Sequence, residues 1–230
     1  MRRRFMILSC LAAVLTLWGA GVASAATRWA IQATPNPSGA MFPSFNDVSC
    51  ASATSCTAVG VYTTGSGISR TLAEHWNGSK WAIQTTPDPS GAVLSVFYDV
   101  SCASAASCTA VGRYDASDNA ELTLAERWNG SKWAIQATPS GPTDAELTGV
   151  SCISATSCTA AGFYSTSSGT LLTLAEHWNG TTWSIQAALN PSGSPDAQLE
   201  GISCTSATSC TAAGLYTISS GPSFTLAEHR

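Results

Sequence analysis

The chain has 230 residues, with ten Lys or Arg against fourteen Asp or Glu, so its formal net charge is −4. This acidic balance argues against nucleic acid or an anionic membrane surface as a partner. Hydrophobic residues make up 44% of the sequence, which is enough for one domain with a sizeable core.

Residues 1–25 have the features of a secretory signal peptide. Three arginines at positions 2–4 are followed by an apolar run, and small residues at positions 23–25 provide a cleavage site. The apolar run is short for a membrane anchor, and we predict no membrane span after it. Removing the leader takes three basic residues and no acidic one, so the mature chain carries a net charge of −7. We therefore expect a secreted, extracellular or cell-envelope-associated protein.

Eight cysteines remain in the mature chain, in four pairs whose members are six residues apart. An even number of regularly spaced cysteines in an exported chain predicts disulfides. Histidines at ligand spacing are absent, so we expect neither a zinc site nor a cofactor. The predicted bridges are Cys50–Cys56, Cys102–Cys108, Cys152–Cys158 and Cys204–Cys210.

The mature chain is a fourfold repeat. The tryptophan of a recurring Trp-x-Ile-Gln segment stands at Trp29, Trp81, Trp133 and Trp183, in steps of 52, 52 and 50 residues. The cysteine pairs keep the same period. We therefore expect residues 26–230 to form a single domain of four repeats of about 52 residues each.

Each repeat contains four short segments typical of β-strands and no helical periodicity. In one repeat these are FYDVSC, CTAVGRY, TLAERW and WAIQ. Four antiparallel strands in about fifty residues indicate one propeller blade, so we predict an all-β propeller of four blades. The chain begins with a fourth strand at Trp29 and stops at Arg230 after a third one. We expect the N-terminal strand to complete and close the last blade; the alternative is a piece of a longer array.

The repeated pattern VSCxSxxSCTAxGxY followed by LAExWNGxxW covers the whole mature chain. In this pattern the sequence resembles secreted bacterial β-propeller repeat proteins and, more loosely, kelch-type propellers. The resemblance implies a propeller. It implies little about activity, since such folds include both binding modules and enzymes.

An Asn-Gly pair joins the last two strands of a repeat and predicts a two-residue hairpin turn, with Glu74 opposite Trp81. Side-chain alternation then places Leu72, Glu74 and Trp76 on one face. We expect the tryptophans to pack between blades. The charged position common to all repeats is expected to accept hydrogen bonds from a neighbouring blade's backbone or indole, rather than to form a catalytic pair. Its members are Glu74, Glu126, Glu176 and Glu228.

The variable loops point to a function. Loops at one rim are nearly identical, whereas those at the other differ between repeats and are rich in acids, which predicts an interaction face there. Its candidate ligand-binding residues are Asp115, Asp118, Glu121, Asp144, Glu146, Asp196 and Glu200. We expect a non-catalytic binding or adhesion module for a glycan or protein. The alternatives are a structural envelope protein and a glycan-active enzyme, although no catalytic triad is recognisable. Calcium binding by Asp115, Asp118 and Glu121 is a further alternative to a solvated loop.

Overall fold

The computed structural model describes residues 28–139, 144–193, 196–218 and 221–230, and every regular element in these ranges is a β-strand. Contacts divide the chain into two units, Met1–Ile31 and Gln32–Arg230. Of the first unit only residues 28–31 are described; they form no strand, and Trp29 and Ile31 are fully exposed. The predicted signal peptide lies outside the described residues. The description below concerns the second unit.

The strands fall into four consecutive groups, here called blades 1 to 4. Blade 1 contains β1 (Met41–Ser52), β2 (Ser55–Thr63), β3 (Ser69–Trp76) and β4 (Trp81–Gln84). Blade 2 contains β5 (Ala92–Ser104), β6 (Ser107–Ala116), β7 (Glu121–Trp128) and β8 (Trp133–Gln136). Blade 3 contains β9 (Ala145–Ser154), β10 (Ser157–Ser165), β11 (Leu171–Trp178) and β12 (Trp183–Gln186). Blade 4 contains β13 (Asp196–Ser206), β14 (Ser209–Thr217) and β15 (Ser223–His229).

Strands within a blade are antiparallel and pair in chain order. Single parallel pairs, Ser69 with Leu94 and Leu171 with Asp196, join blade 1 to blade 2 and blade 3 to blade 4. This confirms the predicted all-β, propeller-type architecture. Within the described residues β15 pairs only with β14, and the sheets are not closed into a ring. The structure therefore does not show the expected closure by the N-terminal strand, and closure and a count of four blades stay predictions.

The four disulfides are those predicted, Cys50–Cys56, Cys102–Cys108, Cys152–Cys158 and Cys204–Cys210. Each joins directly opposite residues of a blade's first two strands, for example Cys102 of β5 and Cys108 of β6. The strands continue past the cysteines, and in blade 2 the turn consists of residues 105–106 between Ser104 and Ser107. Each bridge therefore cross-links the two strands of one short hairpin.

The register predicted for the Asn-Gly hairpins is wrong by two residues. Glu74 lies opposite Ile83, and Trp76 opposite Trp81. The turn spans four residues because the Asn77 side-chain oxygen accepts hydrogen bonds from the backbone N–H groups of Ser79 and Lys80, both at 3.0 Å. A shift of two leaves every side chain on its predicted face, so the aromatic face is preserved.

The hydrophobic core lies between blades. In the cluster between blades 1 and 2, Val59 and Ala73 of blade 1 pack against larger residues of blade 2 such as Phe97, Leu124 and Trp133. The cluster between blades 2 and 3 repeats this arrangement one repeat later. A small face therefore meets a large one at each junction, as the sequence predicted for the tryptophans.

The tryptophans that begin β4, β8 and β12 donate their indole N–H groups to glutamine side chains. Trp81 donates to Gln32 at 2.8 Å, Trp133 to Gln84 at 2.9 Å and Trp183 to Gln136 at 3.0 Å. In each case the acceptor is the glutamine of the preceding Trp-x-Ile-Gln segment. The same two repeated residues thus link successive outer strands.

The expectation for the repeated glutamates is wrong for three of the four. Glu74, Glu126 and Glu176 are completely buried, and their carboxyl oxygens have no hydrogen-bond partner among the described residues. Glu228 accepts a hydrogen bond from the backbone N–H of Leu189 at 3.0 Å. The residues aligned with Leu189 in the other repeats are Pro35, Pro87 and Pro139, which have no N–H to donate.

Candidate binding site at the inner strands

The first strands of successive blades, β1, β5, β9 and β13, lie beside one another and are here called the inner strands. In blades 1 to 3, a serine at the same position accepts a hydrogen bond from the next blade's half-cystine N–H. Ser49 accepts from Cys102, Ser101 from Cys152 and Ser151 from Cys204, at 2.9 to 3.0 Å. These bonds hold the inner strands at a constant spacing.

Every inner strand carries a β-bulge opposite a glycine. In blade 2, Phe97 pairs with Gly112 and Asp99 with Val111, which leaves Tyr98 as the extra residue. A Cβ atom on Gly112 would lie 2.0 Å from the carbonyl oxygen of Val96. Only glycine therefore permits this approach of the two backbones. Bulges redirect a side chain out of the regular alternation and are common beside functional sites.

The extra residue differs in every blade, while its neighbours are repeated. It is Asn46, Tyr98, Thr148 and Glu200 in blades 1 to 4. Asn46 donates to the backbone oxygen of Phe97 at 2.6 Å, and Thr148 donates to that of Leu199 at 2.6 Å. These two side chains therefore link their own blade to the backbone of the next blade. Tyr98 and Glu200 instead border a cavity.

This cavity, here called the inner pocket, has a volume of about 380 Å³. It is lined by Tyr98, Glu146, Thr148, Phe163, Gln198 and Glu200. Two aromatic rings, two carboxyl groups, an amide and a hydroxyl thus border one space. The volume falls in the range of small-molecule sites, roughly 300–1,000 Å³.

A network of charged groups adjoins the inner pocket. The Tyr98 hydroxyl lies close enough to Glu146 and Arg113 for both groups to affect its pKa. Arg113 also pairs with Glu121, and with Asp115 at 3.6 Å. Burial raises the pKa of Glu146, while the hydrogen bond from Tyr98 and the charge of Arg113 act in the opposite direction. Burial, followed by the proximity of Glu146, raises the pKa of Tyr98, which therefore remains a hydrogen-bond donor at neutral pH.

The predicted site residues separate into groups. Glu146 and Glu200 line the inner pocket, and Asp115 and Glu121 adjoin it through Arg113. Asp144 accepts a hydrogen bond from the Glu121 backbone at 3.4 Å. The other two residues make different structural contacts. Asp118 accepts a hydrogen bond from the Ala120 N–H within its own exposed turn, and Asp196 accepts one from the Leu171 N–H between β11 and β13.

Contacts in the same network argue against calcium binding by Asp115, Asp118 and Glu121. Arg113 already supplies the positive charge between Asp115 and Glu121, while Asp118 is engaged in its turn. In the described part of the chain no group of three or more metal-ligating side chains converges.

No helix in those ranges is long and apolar enough to cross a membrane.

A second pair of carboxyl groups, Asp47 and Asp99, lies on the inner strands. Asp47 accepts from the Val100 N–H at 3.0 Å, and Asp99 accepts from the Val150 N–H at 2.7 Å. Burial raises the pKa of Asp99, and its hydrogen bond with Asp47 acts in the same direction. Because both groups bind the backbone of the next blade, they hold strands together.

The sequence interpretation missed Tyr98, Arg113, Phe163 and Gln198 because it looked for variation only in loops. A usable signal exists inside the strands. Tyr98 stands where the other repeats have Asn, Thr and Glu, and Arg113 and Phe163 share a position that is Val or Leu elsewhere. Variable residues between invariant ones in a strand therefore mark the inner pocket.

No protein-family model matches the chain, and no curated protein sequence matches it. Among solved structures, it is similar to YCF48 bound to D1 peptide, with 13% identity, a TM-score of 0.36, and coverage of 75% of this chain and 47% of that one. It is also similar to the fucose-specific lectin from Aleuria aurantia, with 12% identity, a TM-score of 0.42, and coverage of 79% and 56%. The chain thus spans about half the length of these structures. The kelch-type resemblance stays a prediction.

Proposed function

We propose that the protein is an exported, non-catalytic binding module that takes a glycan in the inner pocket. The observation that carries this proposal is the convergence of Tyr98, Glu146, Phe163 and Glu200 on one cavity. These four residues stand at positions that vary between blades, whereas the residues around them are repeated, so they are where the chain departs from its scaffold.

The chemistry of the lining suits a sugar. The apolar face of a pyranose ring packs on an aromatic side chain such as Tyr98 or Phe163. Its hydroxyl groups donate to carboxylate and amide oxygens, which Glu146, Glu200 and Gln198 supply. The acids of the network outnumber its one arginine, so the pocket disfavours phosphate and other anionic ligands. An uncharged or amino-bearing glycan is therefore the favoured class.

Export is the second part of the proposal. Four disulfides are typical of proteins that fold in an oxidising environment outside the cytosol. The N-terminal arginines, apolar run and small residues support secretion through a cleaved leader. Mass spectrometry of the protein recovered from the medium should give a chain starting at Ala26, eight hydrogens lighter than its reduced form.

One specific observation favours a second candidate, a glycan-cleaving enzyme. Glu146 and Glu200 are two carboxyl groups from non-repeated positions in one pocket, and burial raises the pKa of Glu146 as a general acid requires. Against this, the neighbouring Tyr98 hydroxyl and the charge of Arg113 act to lower the pKa of Glu146. The two candidates differ in whether a bound glycan is cleaved.

A glycan array followed by calorimetry tests both. We expect binding by the wild type, a loss of at least tenfold in affinity for Tyr98→Ala and Glu200→Gln, and no change for Asp118→Asn, a rim acid outside the pocket. Mass spectrometry of the recovered glycan should show it intact. Cleavage that Glu146→Gln abolishes would establish the enzyme instead. Binding that Tyr98→Ala and Glu200→Gln leave intact, or binding only to a protein, would contradict the proposed glycan site.

A further inference from the structure

The junction between blades is built three times from the same contacts. The threonine that follows the second cysteine of a pair contacts the next blade's second half-cystine: Thr57 with Cys108, Thr109 with Cys158 and Thr159 with Cys210, each at 3.6 Å. The inner-strand serine bonds described above accompany it. The three junctions also share the small-on-large apolar packing. The junction is therefore a modular interface whose two faces are encoded in every repeat.

Both faces of this interface remain open at the ends of the array. On blade 1, Phe45 is 39% and Val48 is 54% exposed, whereas their counterparts Phe97 and Val100 are 0% and 4% exposed. On blade 4, Ala213 and Ala227 are exposed, although the corresponding Val59 and Ala73 are completely buried. Blade 1 thus presents an unpaired large face and blade 4 an unpaired small face.

The polar groups of these two open faces also match. Ser203 and Thr211 of blade 4 occupy the positions of Ser49 and Thr57. In blade 2, Ser49 contacts the N–H of Cys102 and Thr57 contacts the sulfur of Cys108. The corresponding groups of blade 1 are the N–H of Cys50 and the sulfur of Cys56. A junction from blade 4 to blade 1 would therefore reproduce both side-chain contacts as well as the apolar packing.

A cavity of about 450 Å³ beside β15 gives the position of a further strand. Its apolar lining consists of counterparts of the residues that surround Trp133 in blade 2: Ala175, Leu199, Ile202, Cys210, Ala212 and Leu226. Gln186, the counterpart of the glutamine that accepts the Trp133 indole N–H, also lines it. The lining of the cavity therefore has the chemistry of a site for a strand-four tryptophan.

The segment Trp29–Gln32 has a strand-four sequence, and it pairs with no strand among the described residues. Trp29 and Ile31 are fully exposed. Gln32, however, accepts the indole N–H of Trp81, which is the role of the glutamine in a preceding blade's fourth strand. Residues 29–32 therefore have the sequence, and Gln32 the hydrogen bond, of the outer strand of a blade that precedes blade 1.

We propose that these open faces bind a second copy of this chain, head to tail. The Trp29–Gln32 segment of each copy adds as an outer strand along β15 of the other, and the large face of its blade 1 packs on the small face of the other's blade 4. Trp29 fills the cavity and donates its indole N–H to Gln186. Opposite Trp29 lies Arg230, which replaces the tryptophan of the other repeats and can stack on the indole.

A second copy is favoured over closure within one chain because both faces are open in the same structure. Head-to-tail contacts between copies form closed assemblies when the last contact meets the first, and two copies satisfy both junctions reciprocally. The added strand also covers the free edge of β15, which is the usual means of β-strand addition. The blade 4 site is therefore incomplete without the partner copy's tryptophan.

Light scattering on the exported chain during size-exclusion chromatography tests the assembly. We expect the mass of two chains for the wild type and for the control Ile153→Ala, which alters an exposed isoleucine on blade 3. Trp29→Ala and Gln186→Ala should shift the mass towards one chain with an unchanged circular dichroism spectrum. A single-chain mass for the wild type at all concentrations, or a two-chain mass for both pocket variants, would overturn the proposal.

A pair of introduced cysteines distinguishes the binding of a second copy from closure within one chain. Ala30→Cys and His229→Cys occupy positions equivalent to the directly opposite pair Ala82 and His75. We expect the double variant to run as a covalent dimer without reductant and as a monomer with it, while each single variant stays monomeric in the gel. An intrachain bridge, shown by a monomer that lacks free thiols, or no bridge at all would overturn the proposal.

Discussion

The backbone N–H of Leu189 donates to a carboxylate oxygen of Glu228 at 3.0 Å. In the three other repeats the aligned residue is proline, and the corresponding glutamate has no partner among the described residues. One substitution in the loop after strand four thus decides whether the repeated carboxyl group is hydrogen-bonded. The buried glutamates and the loop prolines must be considered together.

The buried glutamates make stability depend on pH. Burial raises the pKa of Glu74 to about 7, of Glu126 to about 9 and of Glu176 to about 8, from an ordinary value of 4.5. Because these folded-state pKa values are raised, the stabilisation is complete below pH 4.5 and is lost as the pH rises towards 9.

We therefore expect the free energy of unfolding to fall between pH 5 and pH 9, by up to about 1.4 kcal/mol per pH unit for each carboxyl group that ionises only on unfolding. Glu126→Gln should flatten this slope, because the amide cannot ionise. Chemical denaturation at several pH values measures it. Ile153→Ala, which alters an exposed side chain without an ionisable group, is the control and should leave the slope unchanged. Parallel curves for wild type and Glu126→Gln would contradict the assignment.

Leu189→Pro should destabilise the protein by about 1 kcal/mol at neutral pH, since it removes the donor to Glu228. The backbone at this position accepts proline in the other repeats, so the substitution isolates the hydrogen bond. Leu189→Ala retains the N–H but shortens the side chain, so it measures the effect of losing the leucine side chain alone. Equal unfolding midpoints for the two variants would show that the hydrogen bond contributes nothing.

Gly112→Ala should destabilise the chain by about 2–4 kcal/mol, because the new Cβ would lie 2.0 Å from the Val96 carbonyl oxygen and would break the bulge. The same variant should move Tyr98 and weaken glycan binding. Gly65→Ala is the matched control, since no atom lies within 4 Å of its Cβ position. Thermal unfolding compares them, and similar melting temperatures would refute the steric requirement.

Removal of one disulfide, by Cys102→Ala with Cys108→Ala, should lower the free energy of unfolding by about 2–2.5 kcal/mol. That is the loop-entropy value for a closed loop of seven residues. Guanidinium denaturation of the double variant and the wild type measures the difference. A loss below 0.5 kcal/mol, roughly, would mean that the hairpin turn is equally restricted in the unfolded chain.

The sequence by itself determined the repeat, the strand order within a blade and the disulfide pairing. Spacing, alternation and a six-residue cysteine separation are local properties, and they act within single hairpins. The sequence also placed Glu146 and Glu200 at an interaction face, but among rim acids such as Asp118 that lie elsewhere. Its prediction of a two-residue turn at Asn77 was wrong, because the asparagine side-chain oxygen accepts hydrogen bonds from the backbone N–H groups of Ser79 and Lys80 and the turn spans four residues.

Only the tertiary structure decided which residues from different repeats meet. The bulge opposite Gly112 brings Tyr98 to Glu146 of the next blade, 48 positions further along the chain. The prolines that deprive Glu126 and Glu176 of a donor belong to the preceding repeat, as do the glutamines that accept the indole N–H groups. Such contacts depend on how blades pack, since a repeat leaves its own apolar faces uncovered until a neighbouring blade is in place.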